Sequence, residues 1–182
     1  MRSIVFAAVL TAVAVPAVAA PSYNYAEIGY VNLDLDGGNA DGFGAAGSYA
    51  IDDHFHVVGG IQRISDGGLS VTALTIAGGY RFAMSDTTDL VARAGLARAR
   101  VGVSGFGSAS ENGWQVQGGV RSMLNPTLEL NGFLTYSDVG GSDTTLGAGV
   151  VKTFNERVGV FGGIETNDDG DFLTTIGVRF GF

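Results

Sequence analysis

Apolar and polar residues alternate along most of the chain, in segments separated by clusters of Gly, Asp, Asn and Ser. Alternation with a period of two predicts β-strands that have one apolar and one polar face. The segments with this pattern span residues 23–33, 42–51, 55–64, 70–82, 89–103, 112–124, 128–138, 144–154, 158–166 and 171–182. Turn residues at this regular spacing predict antiparallel strands joined by hairpins. The first and ninth segments are the weakest, so the loss of one hairpin would leave eight strands instead of ten.

Most of these segments match the ~9 to 11 residues that a tilted strand needs to cross a bilayer. Their aromatic residues collect at the segment ends: Tyr49, Phe55, Tyr80, Phe82, Phe154, Phe180 and Phe182 at one end, and Phe43, Trp114, Tyr136 and Phe172 at the other. A secreted β-sandwich alternates in the same way but would concentrate its rings in mid-strand. Two aromatic girdles are what the two interfaces of a membrane select. The pattern therefore predicts an all-β fold, a closed antiparallel transmembrane β-barrel of about ten strands.

The last segment carries a more specific pattern. Thr175, Gly177, Phe180 and Phe182 fit polar-x-Gly-x-x-aromatic-x-aromatic. This ending resembles the closing strand of bacterial outer-membrane barrels, and the resemblance implies recognition by the barrel-assembly machinery. In a soluble protein, an apolar strand at the chain terminus would offer an unpaired edge to any neighbour. A closed barrel pairs that edge.

The start of the chain predicts a cleaved secretory signal peptide. Met1-Arg2 provides a positive start, residues 4–15 are apolar except for Thr11, and Ala17-Val18-Ala19 supplies a small-residue cleavage site. We place the cut after Ala19, because a cut one residue later would leave Pro21 at the mature start. Residues 1–19 are then the signal and residues 20–182 a single domain, exported to the cell outer membrane.

Composition agrees with an exported barrel. The chain has 182 residues, with 30 Gly, 3 Pro and no Cys, so disulfides cannot stabilise it. Its mean hydropathy is positive, yet no apolar stretch beyond the signal reaches the ~18 to 20 residues of a spanning helix. Without Arg2, 9 basic residues face 18 acidic ones, which is a net charge of −9. This charge disfavours nucleic acid and anionic lipid as general partners.

The connections between segments fall into two alternating sets. Those at 52–54, 125–127 and 155–157 are tight and the one at 83–88 is slightly longer, whereas those at 34–41, 65–69, 104–111, 139–143 and 167–170 are richer in Gly, Ser and Asp. In outer-membrane barrels, short turns lie in the periplasm and longer loops lie outside. The two sets therefore predict that both chain termini are periplasmic.

Several blocks resemble, in order, one family of small barrels. They are Ser22-Tyr23-Asn24-Tyr25-Ala26-Glu27-Ile28-Gly29-Tyr30, Ala40-Asp41-Gly42-Phe43, Gly47-Ser48-Tyr49-Ala50, Phe55-His56-Val57, Asp86-Thr87-Thr88-Asp89-Leu90-Val91-Ala92-Arg93 and Gly118-Gly119-Val120-Arg121-Ser122. The blocks resemble the outer-membrane barrels known as sulfation-dependent quorum factors, over most of the mature chain. The resemblance implies an outer-membrane β-barrel associated with secretion, signalling and immune recognition, and a sulfated tyrosine that would map to Tyr23. From the residues alone, we favour Tyr23 as an interfacial aromatic that anchors the first strand.

No motif establishes catalysis or a cofactor. Residues 42–47 fit G-x-G-x-x-G, but they lie inside an alternating strand and open no helix. Residues 34–39 resemble the start of a calcium loop, but the fifth ligand position has no side-chain oxygen and Ala45 stands where the bidentate Glu belongs. His54 and His56 are the only histidines, and they lie at the end opposite to the outer rim where barrel hydrolases work. The sequence therefore predicts no cofactor, no metal site and no enzyme.

With the alternation kept in phase, seven charged side chains point into the barrel: Glu27, Arg81, Arg93, Arg121, Glu129, Glu165 and Arg179. Buried charges persist only when they are paired or hydrated, so the sequence predicts an Arg–Glu network across the lumen. Inward glycines are expected to make room for these long side chains: Gly60, Gly79, Gly95, Gly119, Gly163 and Gly177. A barrel of about ten strands is only slightly wider than one that side chains fill, so we expect a plugged lumen.

Three further arginines, Arg63, Arg98 and Arg100, fall on the outward phase near the outer ends of the third and fifth strands. Their guanidinium groups suit the phosphates of lipopolysaccharide, and ordinary snorkelling is the alternative. The expected partners are outer-membrane lipid, lipopolysaccharide and, during biogenesis, the barrel-assembly machinery, whereas no protein partner is indicated. Three functions remain. We favour a structural or surface-interaction barrel with a largely filled lumen over a narrow pore for small solutes or ions, and an outer-membrane enzyme is the least favoured.

Overall fold

The computed structural model describes residues 20–35 and 38–182. Its strands are β1 (Tyr25–Leu35), β2 (Gly38–Ala50), β3 (Phe55–Asp66), β4 (Leu69–Ser85), β5 (Thr88–Val103), β6 (Gly107–Asn125), β7 (Leu128–Asp138), β8 (Ser142–Thr153), β9 (Val158–Asn167) and β10 (Phe172–Gly181). Each strand pairs antiparallel with the next, and β1 pairs with β10, which closes the barrel. The predicted ten-strand barrel is confirmed, and the eight-strand alternative is wrong. The predicted signal peptide, residues 1–19, lies outside the described residues.

Side-chain direction follows the period-two pattern of the strands. In β6, Trp114, Val116 and Val120 are exposed on the outside, whereas Arg121 is buried inside. Large aliphatic side chains stay exposed around the whole outer wall, among them Ile28, Ile61, Leu74, Ile76, Leu96, Leu134, Leu146, Ile164 and Ile176. A contiguous apolar surface of this kind needs a covering phase such as lipid. In the part of the chain that the structure describes, no helix is long and apolar enough to cross a membrane.

The two aromatic girdles lie at the two rims of the barrel. We call the rim that holds the ends of β1 and β10 nearest the chain termini the terminal rim, and the opposite one the distal rim. Exposed rings at the terminal rim are Tyr49, Phe55, Phe82, Phe154, Phe180 and Phe182, and those at the distal rim are Phe43, Trp114, Tyr136 and Phe172. Tyr80 packs between its girdle neighbours, with centroid distances of 4.9 Å to Phe55 and 4.6 Å to Phe82.

The two rims use different turn chemistry. At the terminal rim, a side-chain oxygen accepts backbone N–H groups two or three residues ahead in the turns that begin at Asp52, Asn125 and Asn155. The N–H groups of Phe55 and His54, both 2.7 Å from Oδ1 of Asp52, lower the pKa of that carboxyl. The distal turns instead use glycines with positive φ, such as Gly67 at 54°, a conformation in which other residues are strained.

Most of the distal connections are shorter than the sequence predicts, although the last one keeps its four residues, at 168–171. Of the loop predicted at 104–111, only residues 104–106 lie outside strands, because β5 and β6 continue as a paired ribbon. Small and polar residues fill this stretch, so apolar alternation stops although backbone pairing continues. The predicted loop 34–41 is also mostly strand. With 17, 16 and 19 residues, β4, β5 and β6 form a tall wall, whereas β9 and β10, with 10 each, form the low side.

Candidate functional site in the lumen

The lumen near the terminal rim holds a group of paired charges. Arg121 on β6 and Glu129 on β7 form a bidentate ion pair. Nε of Arg121 lies 2.7 Å from Oε1 of Glu129, and Nη2 of Arg121 lies 2.9 Å from Oε2 of Glu129. Each side chain is only 7% exposed, so water screens the pair little. This is the planar fork geometry in which Arg binds a carboxylate most strongly.

Arg179 on β10 extends this pair across the lumen. Its Nη2 lies 2.6 Å from Oε1 of Glu27, its Nη1 lies 3.3 Å from Oε2 of Glu129, and its guanidinium carbon lies 4.1 Å from the ring centroid of Tyr25. In the wall, β8 and β9 separate β7 from β10. The contact between Arg179 and Glu129 therefore crosses the interior instead of following the sheet. We call the four joined residues the ion-pair plug: Glu27, Arg121, Glu129 and Arg179.

A second ion pair joins β4 to β5. Nη1 of Arg81 lies 3.3 Å from Oδ2 of Asp89, whose side chain is 0% exposed. Arg81 also donates to the backbone carbonyl of Asp53. The sequence-based list of inward charges omits Asp89, which opens the predicted segment 89–103 directly after the polar turn residues 86–88. Positions 93, 91 and 89 lie on the same face of the strand. Because Arg93 points inward, Asp89 is expected to point inward as well.

The residues before β1 fold into the lumen. Tyr23 is 4% exposed, and its hydroxyl donates to Oδ2 of Asp89 at 3.1 Å. The guanidinium carbon of Arg121 lies 4.4 Å from the Tyr23 ring centroid, a typical cation–π distance. Nη2 of Arg121 also donates to the carbonyl oxygen of Ser22 at 2.9 Å. The start of the mature chain thus packs against the ion-pair plug.

The prediction that Tyr23 is an interfacial anchor is wrong. Tyr23 shares the inward phase of Tyr25, so it continues the lumen-facing row of β1 beyond the end of the strand. Burial raises the pKa of Tyr23 to about 12, with Asp89 adding to the effect and Arg121 opposing it. The hydroxyl therefore stays protonated at neutral pH and donates. A sulfate on this oxygen would lie beside the buried Asp89 carboxylate, where like charges repel.

His56 lies beside Tyr23 in the same buried layer. The two ring centroids are 4.6 Å apart, and Nε2 of His56 accepts a hydrogen bond from Nε of Arg93 at 3.1 Å. Arg93 also donates to Oε1 of Gln117 at 2.9 Å. Neutral groups, rather than the acids of an Arg–Glu network, are therefore the hydrogen-bond partners of Arg93. The alternation places His56 inside the barrel, but it carries no information about which groups meet there.

Two inward glycines, Gly79 and Gly147, accommodate rings rather than arginines. A Cβ added at Gly79 would collide with the His56 ring, and one added at Gly147 would collide with the Phe133 ring. The predicted role of Gly79 as room for a charged side chain is therefore wrong. A flat ring can lie against the backbone of a neighbouring strand only where that strand has no side chain.

Glu165 stands apart from the other inward charges. It lies near the distal end of β9 and faces a lumenal cavity of about 350 Å³. Among the described residues, no hydrogen-bond or ion-pair partner contacts its carboxylate. In the same described ranges, no group of three His, Asp or Glu side chains could hold a metal ion.

The three outward arginines form one patch on the distal half of the outer wall. Arg63 and Arg100 lie on one register row, separated by β4, and Arg98 lies on the next outward row. Nη2 of Arg100 donates to Oγ of Ser108 at 2.8 Å, and Nη2 of Arg98 donates to Oγ of Ser110 at 3.1 Å. Within residues 20–35 and 38–182, none of the three pairs with a carboxylate. We call Arg63, Arg98 and Arg100 the arginine patch.

The C-terminal strand closes the barrel against β1. A Cβ added at Gly177 would collide with the carbonyl oxygen of Ile28, so this position requires glycine. Thr175 lies on the inward face, whereas Phe180 and Phe182 are exposed on the outer face. Recognition of this strand by the assembly machinery stays a prediction.

Comparison with known families gives one match over most of the chain. The family profile described as "Outer membrane protein beta-barrel domain" matches residues 5–154. No match is found among curated proteins.

Several solved barrels superpose on the chain. The β domain of the Bordetella autotransporter BrkA has a TM-score of 0.52 at 15% identity, covering 87% of this chain and 98% of that one. The N-terminal β-barrel domain of Pseudomonas aeruginosa OprF has a TM-score of 0.48 at 13% identity, with coverage of 87% and 98%. Ail, the attachment invasion locus protein of Yersinia pestis, in complex with the heparin analogue sucrose octasulfate, has a TM-score of 0.48 at 16% identity, with coverage of 87% and 100%. At this identity, the likeness to BrkA establishes a shared fold alone.

Proposed function

The chain belongs to the outer membrane protein β-barrel family, and on that premise we propose that it is a small integral outer-membrane protein with a structural or surface-interaction role and a closed lumen. The main support for a closed lumen is the contact across the interior between Nη1 of Arg179 and Oε2 of Glu129, at 3.3 Å. The alternative is a narrow pore for small solutes or ions.

The packing around this contact supports closure. Tyr23 and Tyr25 lie against the guanidinium groups of Arg121 and Arg179, so rings and charges meet in the interior near the terminal rim. A ten-strand barrel is only slightly wider than one that side chains fill. A hydrated ion would have to separate paired, buried charges, and leaving such charges unpaired is costly. The lumen is therefore better suited to holding the barrel together than to conducting.

Conductance tests the closed lumen directly. We expect the purified protein to give no steady conductance in a planar bilayer, because the ion-pair plug and the N-terminal residues block the lumen near the terminal rim. Arg179→Ala removes the cross-lumen contact and is expected to produce measurable, fluctuating conductance. Arg157→Ala, in an exposed turn, removes the same charge and should stay silent. Large stable channels in the unmodified protein would contradict the closed lumen and favour the pore.

We also propose that the distal rim faces outward, so that both termini are periplasmic, and that the arginine patch binds lipopolysaccharide phosphates. Lipopolysaccharide occupies the outer leaflet, which is where the distal half of the wall lies in this orientation. The mature chain is strongly acidic, with 9 basic against 18 acidic residues, so three guanidinium groups without carboxylate partners form a local anion site. Arg63 and Arg100, on the same row, are placed to hold neighbouring phosphate oxygens.

Replacement of the whole arginine patch by Gln is expected to lower the lipopolysaccharide that co-purifies with the folded barrel by at least about tenfold, since charge-assisted hydrogen bonds contribute ~1.5 to 3 kcal/mol each. The measurement is the amount of lipopolysaccharide per folded barrel after extraction in mild detergent. The control is a Lys152→Gln, Arg157→Gln double variant, which removes positive charge at the terminal rim. Unchanged retention in the patch variant would favour ordinary snorkelling.

The proposal assigns no catalytic role. His56 accepts a hydrogen bond from Arg93, and among the described residues no hydroxyl group hydrogen-bonds to either histidine. His54 stacks on Tyr80 at 5.6 Å in an exposed turn. A hydrolase would need a nucleophile within hydrogen-bond reach of its base. The contacts of His54 and His56 therefore support a packing role for both side chains.

A further inference from the structure

The distal half of the lumen contains a cavity above the ion-pair plug. Its volume is about 350 Å³, room for roughly ten waters at ~30 Å³ each. Glu27 and Arg179 form its floor, and residues from eight of the ten strands line it. The cavity is therefore a cup whose lower end is closed by the plug.

Two inward phenylalanines lie flat against the wall of this cup. The Phe161 ring would be 2.6 Å from a Cβ at Gly177 and 3.0 Å from one at Gly29, and the Phe133 ring covers Gly147. Each ring rests on backbone that carries no side chain. One face of each ring is thus turned to the wall and the other to the cavity, where the negative face of the π-system is available to a cation.

Glu165 shares a register row with one of these rings. Phe133 pairs with Gly147, and Gly147 pairs with Glu165, so the ring lies over the strand between its own and that of Glu165. Strand spacing puts the two backbone positions roughly 10 Å apart, and the lean of the ring over Gly147 shortens the gap between side chains.

The charges lining the cup leave one carboxylate uncompensated. Glu27 and Arg179 pair with each other at 2.6 Å. Glu165 has no partner among the described residues, so its ionised form gives the cup one unit of negative charge. A single free carboxylate is too few ligands for Mg²⁺ or Ca²⁺, which take six or more oxygens. The combination of one carboxylate with two ring faces suits an organic ammonium ion instead.

We propose that the cup binds a small organic cation, with its ammonium group against Glu165 and its apolar part against Phe133 and Phe161. Asn131 lines the same cavity, and its amide group can hydrogen-bond to a polar substituent. Binding in the cup goes beyond the closed-barrel function. Cation binding is measured in micelles, whereas the closed lumen is tested by conductance in a bilayer. Failure of the binding proposal is therefore distinguishable from failure of the closed-lumen proposal.

The test uses the folded barrel in octyl glucoside, a detergent without an ammonium group, titrated calorimetrically with choline. We expect saturable one-to-one binding of choline and no binding of its neutral isostere, 3,3-dimethylbutan-1-ol. Glu165→Gln keeps the side-chain shape and should weaken choline binding roughly ten- to hundredfold, because one charge-assisted contact is lost. Glu111→Gln, an exposed distal residue outside the cavity, should leave binding unchanged.

Heat-modifiable gel mobility verifies that each variant is folded before titration. A second variant, Phe133→Leu, keeps an apolar side chain and should weaken choline binding because it removes the ring face. Equal binding of choline and the isostere would overturn the ammonium site, as would equal losses in Glu165→Gln and Glu111→Gln. The absence of saturable choline binding to the folded, unmodified barrel would overturn the proposal altogether.

Discussion

Glu129→Ala is expected to destabilise the folded barrel by roughly 3 to 5 kcal/mol, the range found when one partner of a buried ion pair is removed. Glu129 accepts hydrogen bonds from Arg121 at 2.7 and 2.9 Å and from Arg179 at 3.3 Å. Its loss leaves a buried guanidinium on β6 with no carboxylate and weakens the bridge from β10. The measurement is the urea midpoint of the heat-modifiable, folded fraction.

The matched control is Glu156→Ala, at an exposed position in a terminal turn, which should change stability by less than about 0.5 kcal/mol. A double variant, Arg121→Ala with Glu129→Ala, should cost less than the sum of the single variants, because the two side chains share one interaction. If Glu129→Ala unfolds at the same urea concentration as the unmodified barrel, the ion-pair plug does not stabilise the fold.

Tyr23→Ala is expected to cost roughly 3 to 5 kcal/mol, as for other buried aromatic side chains cut back to Ala. The change removes the ring between Arg121 and His56 and the donor to Asp89, which is 0% exposed. Tyr23→Phe keeps the ring and should cost about 1 to 3 kcal/mol, because the buried carboxylate loses a hydrogen bond. The control is Tyr49→Ala, an exposed girdle residue, and an equal loss in that variant would contradict the buried role of Tyr23.

The pKa of Tyr23 also predicts a pH dependence. The folded value of about 12 lies above the ordinary value of 10.0, so the protonated phenol is favoured by folding. Its contribution to stability is complete below pH 10 and is lost as the pH rises towards 12. Tyr23→Phe has no phenol to ionise at this position, so it should lose less stability than the unmodified barrel between these pH values.

The alternation of apolar and polar residues was sufficient to predict the ten strands and the inward direction of Arg121, Glu129 and Arg179. It could not predict their partners, because periodicity assigns a side chain to a face but carries no distance across the lumen. Arg93 illustrates this limit, since its hydrogen bonds go to His56 and Gln117 rather than to an acid.

Two other failures have local causes. Tyr23 and Asp89 are the first residues of the segments predicted at 23–33 and 89–103. A residue at the end of a strand is expected at the rim of a barrel rather than inside it, so neither was expected in the buried layer. The loop predicted at 104–111 failed for a different reason. The backbone of residues 107–111 pairs with β5. Small or polar residues occupy both faces of this stretch, so apolar and polar positions do not alternate.

The tall wall has a consequence for how barrels meet one another. The first seven residues of β6 pair with β5, but β7 pairs with β6 only from Trp114 onward. A strand flank left open in this way is a template on which a second chain can build an intermolecular sheet. The flank begins Gly107-Ser108-Ala109-Ser110-Glu111, and strands disfavour Gly, Ala and Glu. The same composition that conceals the ribbon from sequence analysis therefore discourages edge-to-edge aggregation of neighbouring molecules.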